Sequence, residues 1–324
     1  MKKIGIIGAG AWGTALAVSS SNAGNEVLLW SHGEKVVQSI NNYHENKRYL
    51  SGIKLPASIK ATDNLAEVVE SDMLLMVIPA QKLREVCLNI KTVFLKNSVP
   101  LVICCKGIEQ GTRKLMSEVI AEILPDNPVA VLSGPNFAAE IAKGLPACAT
   151  LACTDEKLGT ELVNILASQS FRLYYSQDVV GAQIGGAVKN VIAIACGIAI
   201  GRGLGENAGA ALVTRGMAEI SRLCAAKGGK HSTLMGLSGI GDIMLTCGSS
   251  TSRNMSLGIA LGGGQPLSNQ LTEGVATAAS VAELAASLKI DMPICMAIND
   301  ILHKGIDIDI TIKSLLQRPF AVEL

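Results

Sequence analysis

The residues best placed to do chemistry are Lys189, Asp242 and the pair Arg253-Asn254, and Lys189 is the most telling of them. It is the one charged residue between Asp178 and Arg202, in a run of small and aliphatic residues that reads as a helix apolar all round, threaded through a core. Taking a lysine out of water costs several kcal/mol, or lowers its pKa well below about 10.4. Packing does not require that cost. Proton transfer does, because a depressed lysine can give and take a proton near neutral pH. The competing reading is a lysine that snorkels from a helix end to the surface. Asp242, in Gly239-Ile-Gly241-Asp242 with Thr246 after it, is a carboxylate among small and apolar residues that needs a nearby cation. Lys189 lacks a partner and is the natural one; the alternative role for Asp242 is a helix N-cap before Ile243-Met-Leu. Ser252-Arg253-Asn254 opens a helix and offers guanidinium, amide and free N–H groups together, an anion site unless Arg253 is simply solvated.

A second group of residues addresses a nucleotide. Gly8-Ala-Gly10-Ala-Trp-Gly13 follows the strand-like Lys3-Ile-Gly-Ile-Ile7 and precedes a helical pattern and a second strand, Glu26-Val-Leu-Leu-Trp30. In that context G-x-G-x-x-G is a dinucleotide fingerprint. Gly8 permits the tight turn, Gly10 lets a pyrophosphate approach the backbone, and Gly13 lets helix and strand pack closely. The second strand ends Trp30-Ser31-His32-Gly33 with no acid in place for a ribose 2′-hydroxyl. Ser31 and His32 can instead donate to a 2′-phosphate, so NADP is favoured while NAD stays open.

The elements that must hold these groups alternate in the first half. Strand signals at 73–78, 100–105, 129–132, 147–152 and 171–175 are separated by helical patterns near 63–70, 81–90, 112–123, 136–143 and 155–168. Residues 41–56 read as polar and irregular. The alternation predicts an α/β fold, a Rossmann-type doubly wound and mostly parallel sheet, over residues 1–178. Ligands bind such sheets beyond the carboxyl ends of strands. The loops there are Pro79-Ala-Gln, Cys105-Lys106-Gly107 and Ser133-Gly-Pro-Asn136-Phe-Ala138. After Asp178 the strand signal stops, and helices at about 181–200, 208–227, 252–261, 274–288, 293–303 and 308–317 predict an all-helical substrate-binding and catalytic domain over 179–324.

Composition excludes several classes. A formal charge of +1 and 3% aromatic residues argue against nucleic acid and anionic membranes. The apolar helix around Lys189 carries Asn190 and four glycines, and no other run reaches the roughly 20 apolar residues of a membrane span. Nine cysteines with no C-x-x-C indicate neither a disulfide framework nor zinc, and no metal is expected. Reduced core cysteines and an N-terminus that enters a strand directly point to the cytoplasm. The very apolar helical half is compatible with a homodimer.

Together these motifs closely resemble the bacterial NAD(P)-dependent glycerol-3-phosphate dehydrogenases. The resemblance runs through Gly8-Ala-Gly-Ala-Trp-Gly-Thr-Ala-Leu16, Cys105-Lys106-Gly107, Ser133-Gly-Pro135, Gly185-Gly-Ala-Val-Lys-Asn190, Gly239-Ile-Gly-Asp242, Leu245-Thr-Cys and Ser252-Arg-Asn254. It implies that Lys189 is the proton acceptor and a substrate contact, and that Lys106 meets both substrate and cofactor. Gly134, Asn136, Asp242, Ser252, Arg253 and Asn254 would complete the substrate site. Gly8, Gly10, Ala11, Trp12, Gly13, His32, Ala138, Leu271 and Glu273 would contact the cofactor, as would Arg253. Asn136 stands where Thr or Ser is expected, His32 where many relatives carry arginine, and Val275-Ala-Thr277 replaces the usual polar residues. The implied reaction interconverts dihydroxyacetone phosphate and sn-glycerol 3-phosphate, running toward reduction to supply phospholipid synthesis. Two rivals stand beside it: a related two-domain dehydrogenase acting on a 3-hydroxy acid or sugar acid, and a non-catalytic dinucleotide sensor.

Overall fold

The computed structural model describes residues 1–93, 96, 98–267 and 272–319. Its strands are β1 (Lys3–Ile7), β2 (Glu26–Trp30), β3 (Glu45–Asn46), β4 (Leu50–Lys54), β5 (Lys60–Thr62), β6 (Met73–Met76), β7 (Leu101–Ile103), β8 (Val129–Ser133), β9 (Ala147–Cys153) and β10 (Phe171–Ser176). One sheet takes the order β10-β9-β8-β7-β6-β1-β2-β5, and β3 with β4 forms a separate antiparallel hairpin. Every neighbouring pair in the large sheet is parallel except β8 with β9. From β1 the chain steps outward through β2 to β5, then crosses back to β6 on the other edge of β1. That reversal opens a crevice at the carboxyl ends of β1 and β6, where doubly wound sheets take their ligands.

The side-chain period of two places Ile4 and Ile6 on one face with Leu16 of the Ala11–Asn22 helix, and Ile7, Leu74 and Met76 on the other with Leu83 and Ile90. Burial on both faces explains why β6 is the unbroken apolar run Met-Leu-Leu-Met.

Three local expectations fail for physical reasons. Residues 41–56 are ordered: a helix Glu34–Tyr43 ends on His44 in a left-handed conformation, and the β3–β4 hairpin follows. The short β5 beyond it has little apolar pattern to reveal it. The strand expected at 100–105 ends at Ile103, so Lys106 stands on an irregular segment past β7 rather than at its last residue. The helix expected from 112 begins at Met116, because Gly111 and Arg113 both take positive φ.

From Val179 the chain is helical. Asp178 caps the Val179–Gly201 core helix by accepting from the Gly181 amide at 2.8 Å. Every residue of it from Gly181 to Ala199 is buried. By length and composition it could cross a membrane, but 89% of its most apolar window is buried inside the protein. Small residues let a second helix, Arg253–Gly262, lie against it backbone to backbone. A Cβ on Gly258 would collide with the Ile194 carbonyl and lie 2.8 Å from the Gly197 Cα, and Gly262 meets Gly201 in the same way one turn on. This contact fixes where Arg253 and Asn254 start relative to Lys189.

Gly258→Ala should lower stability by about 1–3 kcal/mol through overpacking. Gly209→Ala should raise it by about 0.4–1 kcal/mol, since a methyl there meets nothing within 4 Å in the Glu206–Ala226 helix. Urea unfolding of both variants checks the contrast.

Candidate active site

Gly185 and Gly186 bring two partners onto the core helix. A Cβ on Gly185 would strike the Ser238 carbonyl, and one on Gly186 would lie 2.7 Å from Ser133 Oγ and 3.5 Å from the Lys106 stem. Ser238 belongs to a π-helical turn, Leu237–Gly241, in which the Gly241 amide donates to the Gly236 carbonyl five residues back at 3.2 Å. The turn runs straight into the helix Asp242–Cys247. Gly185 touches Ser238, and four residues further along each segment Lys189 meets Asp242. The glycine-rich stretch before Asp242 is therefore helical, and Asp242 is a first-turn residue rather than the cap.

The Asp242 side chain is 1% exposed and bridges two lysines. Lys189 Nζ donates to its Oδ1, and Lys106 Nζ to its Oδ2 at 2.6 Å. Lys106 also donates to the Gly134 carbonyl at 3.1 Å, and Lys189 to Thr246 Oγ1 at 2.6 Å. Burial lowers the Lys189 pKa from 10.5 to about 8; the Asp242 charge opposes that fall and the Lys106 charge adds to it. Thr246 is not among the residues that the resemblance places in the site. Its signal was available in the sequence: it lies one helical turn after Asp242, on the same face.

Around this triad the other expected residues fall into place unevenly. Asn136 donates to the Cys148 carbonyl at 3.3 Å, while among the described residues its own buried Oδ1 has no partner, nor has the neighbouring Ser133 Oγ. Ser252 caps the Arg253–Gly262 helix by accepting from the Met255 amide at 3.3 Å. Asn254 Oδ1 accepts from the Gly274 amide at 3.0 Å, which joins that helix start to the start of Glu273–Leu288; Gly274 in turn sits against the Asn190 carbonyl. Three segments thus converge beside Lys189. Arg253 is exposed and makes no side-chain hydrogen bond or ion pair among the described residues. Burial raises the Glu273 pKa, while the charges of Lys106, Arg253 and Lys189 pull it down. Leu271 lies outside the described residues.

The nucleotide group is also assembled. Gly8 has φ +117 with its α-carbon against the Val77 carbonyl, Gly13 packs on the Gly8 carbonyl, and a Cβ on Gly10 would meet nothing within 4 Å. That open space at a helix N-terminus fits a pyrophosphate. Ala11, Trp12 and Ala138 pack on the same core cluster. His32 is exposed past β2 with its ring 6.2 Å from that of Trp30, whereas Ser31 is buried and accepts from the Gly33 amide at 3.2 Å. A large apolar groove of about 1180 Å³ lies elsewhere, among Leu204, Met217, Ile301 and Leu315, and contains neither lysine. Chemistry, not cavity size, locates the site.

Comparison with known proteins identifies the family. The family model for the NAD-dependent glycerol-3-phosphate dehydrogenase N-terminus matches residues 3–159, and that for the C-terminus matches 178–313. The chain belongs to the NAD-dependent glycerol-3-phosphate dehydrogenase family. As a member it is an oxidoreductase that uses a nicotinamide dinucleotide. It is 50% identical to the glycerol-3-phosphate dehydrogenase [NAD(P)+] of Parvibaculum lavamentivorans over 99% of this chain and 98% of that one. To the Rhodospirillum rubrum protein of the same description it is 51% identical, over 99% and 93%. The crystal structure of glycerol-3-phosphate dehydrogenase from Coxiella burnetii superposes with a TM-score of 0.93 at 37% identity, covering 98% of this chain and 99% of that one.

NMR titration of isotope-labelled lysine in this dehydrogenase should show one signal moving near pH 8 that is missing from Lys189→Met. An unfolded lysine titrates near 10.4, so the unfolded chain holds an extra proton between about 8 and 10.4. The stability of wild type relative to Lys189→Met should therefore rise with pH across that window. A flat difference would place the Lys189 pKa at its ordinary value.

Proposed function

We propose that Lys189 exchanges the proton, and Arg253 with Asn254 holds the phosphate, as this enzyme interconverts dihydroxyacetone phosphate and sn-glycerol 3-phosphate. The observation that carries the reading is the Asp242 carboxylate shared between Lys189 and Lys106 in a buried site. A nicotinamide dinucleotide bound at the Gly8–Gly13 turn would supply or take the hydride at substrate C2. In reduction, Lys189 as the ammonium gives its proton to the oxygen on C2 as the hydroxyl forms; in oxidation, the neutral amine takes that proton back. A group poised near 8 serves both directions. Lys106, Gly134, Asn136 and Ser252 line the substrate, and Asp242 orients both ammonium groups. Gly8, Gly10, Ala11, Trp12, Gly13, His32, Ala138 and Glu273 hold the dinucleotide. Residues 1–178 act as the dinucleotide-binding domain and 179–324 as the catalytic one.

NADPH is the favoured cofactor, because no acid closes β2 and the exposed His32 can face a 2′-phosphate. Cytoplasmic supply of glycerol 3-phosphate for phospholipids is the physiological role we assign. The exposed Leu204 and Leu316 beside the apolar groove support a homodimer.

His32→Asp should shift the kcat/KM ratio toward NADH by opposing the 2′-phosphate charge. A wild type strongly selective for NADH would defeat the assignment.

Arg253→Lys should cost about 1.5–3 kcal/mol in kcat/KM for dihydroxyacetone phosphate, the range for a charged hydrogen bond, because lysine keeps the charge and loses the paired donors. Unphosphorylated dihydroxyacetone should lose much less at saturating NADPH. An equal loss for both substrates would move Arg253 out of the phosphate site, and no turnover of either by wild type would refute the activity.

A further inference from the structure

The β3–β4 hairpin has no part in the chemistry above, yet it carries a fully buried asparagine. Asn46 is 0% exposed, although it follows the polar Glu45 and precedes Lys47 and Arg48 at the hairpin tip. Its Nδ2 donates to the Ala9 carbonyl at 2.9 Å and to Thr14 Oγ1 at 2.7 Å, and its Oδ1 accepts from the Tyr49 amide at 3.2 Å. Thr14 Oγ1 in turn donates to the Gly10 carbonyl at 2.9 Å. The asparagine is thus saturated, and every bond on its donor side ends on the glycine turn.

Those two carbonyls have a specific geometric meaning. In a trans peptide the C=O and the N–H of one plane point in opposite directions. The Ala9 carbonyl shares its plane with the Gly10 amide, and the Gly10 carbonyl shares its plane with the Ala11 amide. Asn46 holds the Ala9 carbonyl directly, and the Thr14 hydroxyl that it bonds holds the Gly10 carbonyl together with the Thr14 amide at 2.9 Å, so the Gly10 and Ala11 amides face the opposite way from those carbonyls. Amides at the first turn of a helix have no intrahelical acceptor and are the donors an anion uses. Glycines make this turn flexible by nature, so something has to hold it.

We propose that Asn46, through Thr14, is a positioning residue that presets the Gly10 and Ala11 amides for the dinucleotide pyrophosphate. The hairpin is the brace that delivers it: Asn46 bonds Thr14 of the Ala11–Asn22 helix, and Leu50 on the second strand is buried in the core. The inference rests on the reading that the Gly8–Gly13 turn holds the dinucleotide.

Fluorescence titration of the whole enzyme with NADPH tests it, alongside kcat at saturating NADPH. Asn46→Ala should raise the NADPH Kd about tenfold, on the order of one well-aligned hydrogen bond, and leave kcat within about twofold. Adenosine 2′-monophosphate, which lacks the pyrophosphate, should bind as in wild type. Thr14→Val should weaken NADPH binding in the same selective way and Thr14→Ser should restore it, so the test stands if Asn46→Ala fails to fold. Unchanged NADPH affinity in folded Asn46→Ala, or in Thr14→Val where the alanine variant does not fold, overturns the proposal. Equal weakening of both ligands overturns it too, because that is what general loosening of the fold would give. Gly10→Val separates the two readings: if it leaves NADPH binding intact, the turn itself is misassigned; if it weakens binding while the Asn46 and Thr14 variants do not, only the brace fails.

Discussion

The structure depends on one carboxylate. Asp242 lies out of water and is held by two ammonium groups, and it is the carboxylate that offsets the charge of the buried Lys189. Removing one partner of a buried ion pair typically costs about 3–5 kcal/mol, because the remaining charge is left unsolvated. Lys189, Lys106 and Arg253 outnumber the two acids near them, Asp242 and Glu273, which leaves an excess positive charge in the site. That excess is suited to a substrate that brings a phosphate and builds negative charge on an oxygen as hydride arrives.

Backbone contacts deliver that arrangement, and they explain where the glycines fall. Lys189 sits mid-helix, so only an element lying directly on the helix can reach it. Gly185 admits the Ser238 carbonyl, and the π-helical turn then sets Asp242 and Thr246 at the level of Lys189. Gly197 and Gly258 bring the helix of Arg253 to the same region, and Asn254 ties its start to Gly274. The asymmetry is physical: side-chain packing would hold these helices apart by the width of a methyl group or more, and the proton transfer proposed for Lys189 would not tolerate that looseness. On the sheet side, the reversal at β1 provides the crevice, and the glycine turn provides its anion donors.

Much of this was legible in the residues. A single lysine in an all-apolar helix, an aspartate with no polar neighbours and G-x-G-x-x-G between strand and helix each report a cost that only function or pairing offsets. The parallel sheet followed from alternating apolar runs. What stayed hidden had no such local signature. The π-helical turn before Asp242 looks like a glycine-rich loop, because its order comes from the core helix beside it. Asn46 looks like an ordinary loop asparagine, because its burial is decided by a contact with Ala9 far away in sequence. The β3–β4 hairpin and β5 are too short and polar for a period of two to register. The sequence offers Ser31 as a phosphate donor, whereas in the fold it is buried and its hydroxyl accepts from the Gly33 amide.

The most direct test of this account is the kcat of Lys189→Met with dihydroxyacetone phosphate and NADPH both saturating, with NADPH affinity as the folding control. Methionine fills the same space without a titratable proton. If Lys189 exchanges the proton, kcat should fall at least about 10²-fold, the usual effect of losing a general acid–base group, with cofactor affinity little changed. A folded variant that binds NADPH normally and turns over at near the wild-type rate would contradict it.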